Sequence, residues 1–147
     1  MWKKAAREVT KKERTESNDV GKLRSRIMRA VGSKATSCER TVRDYLRPLG
    51  VRMRYNVASL PGKPDIVIPS LRFAIFVHGC FWHGHGCRRG ARIPKTNAAY
   101  WTAKIARNRA RDRRNAAALR RAGWSVVSIW ECDSGRVRER KLKALRE

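Results

Sequence analysis

Apolar positions along this chain fall into two rhythms, and the change from one to the other marks out its elements. In the stretch from Lys22 to Ala30, Leu23, Ile27 and Ala30 recur at helical spacing and predict a short helix. "TSCERTVRDYLRPLG" predicts a second, with Val42, Tyr45 and Leu46 as its buried stripe. Thr36 and Glu39 fit a capping box at its start, and Pro48 and Gly50 stop it. The rhythm then shifts to alternation. "VRMRYNV" places Val51, Met53 and Tyr55 on one face of a half-buried strand, and "SLPGKP" is a turn. "DIVIP" and "RFAIFVH" are apolar runs of the kind that form strands buried on both faces. Helical spacing returns from about Asn97 to Arg121, where Trp101, Ile105, Ala116 and Leu119 form a stripe opposite a face dense in Arg, and Gly123 supplies the C-cap. "WSVVSIWE" is a last buried strand, and "SGRVRERKLKALRE" predicts a short basic helix.

The core order is therefore α, β, β, β, α, β. Three sequential strands suggest a meander, and the long helix crosses over to a strand beside them. That is an α/β fold with a mixed β-sheet flanked by helices. The 147 residues suit one domain, and no internal repeat is present. We read residues 1–20 as a basic, flexible N-terminal arm, 21–135 as the folded domain and 136–147 as a basic C-terminal helix or tail.

Charge narrows the partners. Lys and Arg number 36 against 12 Asp and Glu, a formal net charge of +24. Self-repulsion of that size is tolerable if a polyanion is the partner, with nucleic acid first and an anionic membrane second. No apolar run approaches the roughly 20 residues of a membrane span, and "MWKKAAREVTKKERTESND" lacks the apolar region of a secretory signal. A cytoplasmic location is expected. There, four cysteines point to a metal site or reduced thiols rather than to a disulfide framework.

The chemistry is concentrated in "FVHGCFWHGHGC", residues 76 to 87, which holds all three histidines of the chain. Cys80, His85 and Cys87 form the pattern C-x4-H-x-C, and Cys132 follows the last predicted strand, where the chain can return to the same edge. Three thiolates and one imidazole suit a closed, structural zinc site. The alternative is that the cysteines are small buried apolar residues. Cys38 is left over as a free thiol on a helix. His78 and His83 remain uncommitted by this assignment, as surface or core histidines, alternative ligands or catalytic groups.

Asp65 is the sole acidic residue between Asp44 and Asp112, and it opens a buried strand. An isolated Asp there is often a turn cap. In a metal-dependent nuclease, a carboxylate so placed holds Mg²⁺ against a phosphate. His83 is then the better candidate for a general base, because the zinc loop would fix it, and His78 would orient the phosphate or the water. Phe81 and Trp82, adjacent on a glycine-rich loop, and Trp101, at the start of the long helix, are either core or an aromatic wedge for stacked bases.

"SLPGKPD", "FVHGCFWHGHGC", "YW", "WSVVSIWEC" and "SRIMRAV" together resemble the very-short-patch repair (Vsr) DNA mismatch endonucleases, over roughly residues 22 to 135. The resemblance implies a PD-(D/E)XK-like nuclease fold. It implies Mg²⁺-dependent nicking of double-stranded DNA 5′ to the thymine of T:G mismatches left by deamination of 5-methylcytosine. Carried over, Asp65 is the catalytic metal-binding carboxylate, Val77 a ligand through its backbone carbonyl, His83 the general base and His78 a second active-site histidine. Cys80, His85, Cys87 and Cys132 hold structural Zn²⁺. Phe81, Trp82 and Trp101 form the wedge, and Met28 with its helix clamps the opposite groove. Glu39 falls where the family has an acidic residue on the first core helix, and the capping box explains it equally well. The Lys and Arg residues of the long helix are assigned to backbone phosphates.

The loop departs from the family in carrying fewer histidines than Vsr loops can, with Gly84 and Gly86 set among those that remain, which leaves no spare imidazole near the zinc. The second carboxylate and lysine usual in PD-(D/E)XK nucleases are replaced by "FVH", as they are in the Vsr family itself. The resemblance further implies a monomer in the bacterial cytoplasm, associated with the nucleoid through DNA and working beside a cytosine-5 DNA methyltransferase and a repair polymerase. Two other readings stand beside it. One is a non-catalytic, zinc-stabilised DNA-binding protein, and the other a nuclease of the same fold with a different lesion or a restriction role.

Overall fold

Helix α1 spans Ser37–Leu46 and buries Cys38, Val42 and Leu46. The computed structural model from which it is taken describes residues 36–145. The helix predicted over Lys22 to Ala30, with Met28, lies outside the described residues, as does the N-terminal arm. A 3₁₀ turn, Arg47–Leu49, ends α1 through Pro48, and Gly50 follows at φ 64°, a left-handed conformation that favours glycine. The predicted stop signal is therefore the observed one.

The sheet has four strands in the order β1-β2-β3-β4. They are β1 (Arg54–Tyr55), β2 (Ile66–Ile68), β3 (Phe73–His78) and β4 (Ser125–Trp130). The first three pair antiparallel, with Tyr55 opposite Ile66 and Ile66 opposite Ile75. β3 and β4 pair in parallel from Phe73 with Ser125 to His78 with Trp130. Helix α2 (Ala98–Arg121) makes the crossover between them. The meander and crossover expected from the element order are both present.

The first predicted strand is much shorter than its alternation suggests. Val51 and Met53 pack against the core, but Tyr55 is exposed, with the Arg43 guanidinium 4.0 Å over its ring. Asn56 takes φ 50°, which ends the pairing after two residues. Local backbone turning overrides the period of two here.

Alternation along β3 divides the interior into two layers. Phe73 and Ile75 join Ile66, Ile68 and Ile129 against Cys38, Val42 and Leu46 of α1. Leu142 of helix α3 (Gly135–Leu142) and Leu145 complete that layer. Ala74 and Phe76 face the other way, onto Leu119 of α2 with Leu60, Trp124 and Val126. Each fully buried aliphatic side chain contributes about 1.5–3 kcal/mol. His78 continues the second series, its ring stacked 5.8 Å from that of Phe76. Helix α2 ends in a Schellman motif: the Gly123 amide donates to Arg120, the Trp124 amide donates to Leu119, and Gly123 sits at φ 80°. That fixes where β4 starts, and hence which residues reach its far end.

The end of β3, the end of β4 and the beginning of β2 meet at one edge of the sheet. Loops leaving the carboxyl ends of parallel strands are where α/β folds build their sites. Among the described residues, no helix is long and apolar enough to cross a membrane.

Candidate active site and metal centre

The loop after β3 folds back on itself through short backbone bonds. The His83 amide donates to Gly79, that of Gly84 to Phe81 and that of His85 to Cys80. Gly84 adopts φ 60°, and a Cβ there would lie 2.6 Å from Ile105 of α2, so the loop presses onto the helix where only glycine fits. At Gly90 a Cβ would meet the His85 carbonyl oxygen at 2.0 Å. Asn108 of α2 ties the loop down by donating to the Trp82 carbonyl at 2.9 Å.

This folding gathers Cys80, His85 and Cys87, and Cys132 arrives from the end of β4. One ligand atom from each lies within 4.8 Å of all the others, a set able to hold a metal ion. Cys80 is fully buried and Cys132 is exposed, so the cluster runs from the core to the surface. His85 Nδ1 and Cys132 Sγ are 3.4 Å apart. The His85 ring stacks on Trp130 with 4.3 Å between centroids. Three thiols and an imidazole are the donors of a soft or borderline ion in tetrahedral geometry, and they leave no open position. All four cysteines are free thiols. Cys38 stands apart on α1, and burial pushes its thiol pKa up, so it is an inert core residue.

The second group lies on the α2 side of the sheet. The Asp65 carboxylate accepts the Val77 amide at 2.7 Å. Because the His78 carbonyl accepts from Glu131 on the β4 side, alternation turns the Val77 amide and carbonyl together toward Asp65. The Val77 amide and the backbone N–H of Asp65 itself both donate to the carboxylate, whose oxygens, with the Val77 carbonyl, are donors of the kind that suits a hard cation such as Mg²⁺. Burial raises the Asp65 pKa, against the lowering effect of the Val77 hydrogen bond, and the Glu39 charge adds to the rise.

His78 and His83 lie side by side, ring centroids 4.0 Å apart. His78 is buried against Trp130 at 5.1 Å, and burial, then the neighbouring His83, lower its pKa to about 4. It is therefore neutral at neutral pH. His83 Nδ1 lies 2.5 Å from Asp112 Oδ2 of α2. A neutral imidazole donating there has Nε2 left as a base.

Asp65, His78, His83 and Asp112 line one cavity of about 880 Å³, with Lys63, Arg109, Arg113 and Arg120 around it. Such a cavity suits a phosphate-bearing ligand. Beside it Phe81, Trp82 and Trp101 form a cluster with ring centroids 5.0 to 5.8 Å apart. All three are half-buried, neither core nor fully free. Tyr100, half exposed, meets the edge of Trp101 at 5.2 Å.

Of the candidates read from the sequence, Asp65, Val77, His78 and His83 share this cavity, Cys80, His85, Cys87 and Cys132 form the cluster, and Phe81, Trp82 and Trp101 pack together. Glu39 lines neither site, pairs with Arg43 at 3.6 Å and reaches Asp65 through its charge. Asp112, Asn108 and Trp130 were not anticipated. Asp112 had a signal: it is the sole acid in α2 and falls at helical spacing between Ile105 and Leu119, on the inward stripe rather than the Arg-rich face.

The family model for the DNA mismatch endonuclease Vsr matches residues 19–89. The type II nicking enzyme V.XorIIP of Xanthomonas oryzae pv. oryzae is 52% identical over 107 residues, 73% of this chain and 78% of that protein. The DNA mismatch endonuclease Vsr of Escherichia coli is 42% identical over 109 residues, 74% of this chain and 69% of that protein. The type II nicking enzyme V.NmeAIP of Neisseria meningitidis is 41% identical over 127 residues, covering 84% and 90%.

Proposed function

This chain belongs to the Vsr family of DNA mismatch endonucleases, and we propose that it nicks one strand of duplex DNA 5′ to the thymine of a T:G mismatch, in a Mg²⁺-dependent reaction on a PD-(D/E)XK-like fold. The observation that carries this reading is the sharing of one Arg-rimmed cavity by the Asp65 carboxylate and the His83–Asp112 pair. Burial disfavours ionisation of Asp65, and a perturbed carboxylate beside a histidine–carboxylate pair in a cavity supports catalysis over the role of a turn cap alone.

Asp65 and the Val77 carbonyl would hold Mg²⁺. When bound, that ion neutralises charge on the scissile phosphate and aids departure of the leaving oxygen. His83 takes a proton from the attacking water through Nε2, and Asp112 fixes the tautomer and stabilises the imidazolium that forms. His78, neutral and buried, positions the water or a phosphate oxygen by hydrogen bonding. Glu39 contributes negative charge toward Asp65. The guanidinium groups of α2 take the backbone phosphates.

Cys80, His85, Cys87 and Cys132 would hold structural Zn²⁺, pinning the loop that carries His83 to the end of β4. Phe81, Trp82 and Trp101 enter the stack beside the mismatch, where a wobble pair is easier to unstack than a matched one. Met28 would act from the opposite groove. The protein works in the bacterial cytoplasm as a monomer, following a cytosine-5 methyltransferase whose deaminated product it marks for a repair polymerase. The test is nicking of T:G, other mismatched and matched duplexes in several flanking sequences with Mg²⁺ present or withheld. Nicking at T:G alone supports the reading, equal nicking at other lesions favours a different target, and binding without nicking defeats catalysis.

A further inference from the structure

Two of the three histidines and a helix-borne carboxylate form a second donor set, apart from the four-ligand cluster. His78, His83 and Asp112 each offer one ligand atom, and these atoms lie within 4.8 Å of one another. They come from three separate elements: the end of β3, the loop after it and the middle of α2. Asp112 Oδ2 and His83 Nδ1 already face each other at 2.5 Å, a contact that an ion entering between them would open slightly. The His78 ring lies 4.0 Å from that of His83. Two imidazoles and one carboxylate suit zinc, cobalt(II) or nickel(II), with positions left for water or a phosphate oxygen. Mg²⁺ prefers oxygen donors throughout, and those lie at Asp65 and Val77.

We propose that His78, His83 and Asp112 form an inhibitory site for a late first-row divalent cation such as zinc, separate from the Cys/His centre and from the oxygen donors at Asp65. The inhibition, though not the binding, rests on His83 being the general base. A neutral imidazole carries one proton. An ion bridging His83 Nδ1 and Asp112 displaces that proton to Nε2, the atom that must accept one from water. The base is then lost without any change in Mg²⁺ binding. Arg109, Arg111 and Arg113 line the same cavity and repel a cation, so this site is weaker than the four-ligand centre and fills after it. A DNA phosphate oxygen supplies a further ligand and offsets that positive charge, so the ion binds more tightly when DNA is present.

The experiment is a cobalt(II) titration of the full chain as purified, after its zinc content has been measured, followed by absorption spectroscopy and by equilibrium dialysis. The expected result is one bound cobalt per chain with weak d–d bands and no thiolate-to-cobalt charge transfer. His83→Asn and Asp112→Asn should each weaken its retention by at least about 10-fold, given that even an outer-shell partner is worth 10- to 100-fold. Asp65→Asn should retain it, and the melting temperature of each variant checks that it is folded. In wild type, added zinc should slow Mg²⁺-dependent nicking, and excess Mg²⁺ should not restore the rate. Cobalt retained equally by both variants, cobalt lost in Asp65→Asn alone, or no cobalt bound beyond what fills thiolate sites left free of zinc overturns the proposal. The titration uses no DNA, so absence of nicking in every form would count against the nuclease reading and leave the metal site to be judged on its own.

Discussion

His83 and Asp112 are 29 residues apart in the chain, yet Nδ1 of one lies 2.5 Å from Oδ2 of the other. The contact joins the metal-ligand loop to the long crossover helix, beside the Gly84–Ile105 packing and the Asn108–Trp82 hydrogen bond that hold the same two elements together. His83→Ala should lower the nicking rate by about 10²- to 10⁴-fold, the range of a positioned acid or base. Asp112→Asn should give a smaller loss in the same direction, because it spoils the tautomer rather than removing the base. Neither should weaken DNA affinity measured by fluorescence anisotropy, and a parallel loss of binding would contradict the assignment.

The state of His78 makes stability depend on pH. Its pKa is lowered in the fold to about 4 from an ordinary 6.5, so between those values the unfolded chain binds a proton that the folded chain does not. Above pH 6.5 this group is neutral in both states, and stability falls as the pH drops through the window. The limiting slope for one proton is about 1.4 kcal/mol per pH unit. Urea unfolding of wild type and His78→Phe at several pH values should show this component vanish in the variant.

Cys132 is exposed and follows β4 directly, so the geometry that presents it comes from its neighbours. Asp133 accepts the Trp130 amide at 2.8 Å and Lys141 Nζ at 2.6 Å, and Lys141 also donates to the Ser128 carbonyl. Cys132→Ser should abolish tight zinc retention and lower the melting temperature. Asp133→Asn should keep the zinc but release it faster to a chelator, which a colourimetric zinc indicator reads directly. Chelation of wild type should disorder the loop that carries His83 and reduce nicking as well as stability.

Phe81, Trp82 and Trp101 are half-buried by one another, so removing one ring both opens the cluster and blunts it. Trp82→Ala should reduce the ratio of nicking at T:G over matched duplexes more than it reduces overall DNA affinity. Tyr100, edge-on to Trp101 with Lys104 Nζ 5.9 Å from its ring centre, lies at the rim and should matter less. Equal losses of mismatch preference and affinity in Trp82→Ala would argue against a wedge.

Much of this arrangement was legible because each signal was local. The β2 and β3 runs, the Pro48–Gly50 stop and the C-x4-H-x-C spacing need only neighbours in sequence. Cys132 was reachable because a parallel crossover returns the chain to a known edge. The pairing of Asp112 with His83 was not, since which residue of a 24-residue helix faces the loop depends on the packing of Gly84 against Ile105. β1 failed for the opposite reason. Its alternation is real, but the left-handed turn at Asn56 cuts it short.

The most direct measurement compares wild type with Asp65→Asn for nicking of a T:G duplex in Mg²⁺, alongside the melting temperature of each. Asn still accepts the Val77 amide but removes a charge that burial disfavours. Because the Asp65 pKa is raised in the fold, the buried charge lowers wild-type stability above that pKa, and the effect disappears as acid protonates the carboxyl. Asp65→Asn should lose nicking, keep DNA binding and melt higher than wild type at neutral pH, with the gap closing at acidic pH. Nicking undiminished by this substitution would contradict a catalytic role for Asp65.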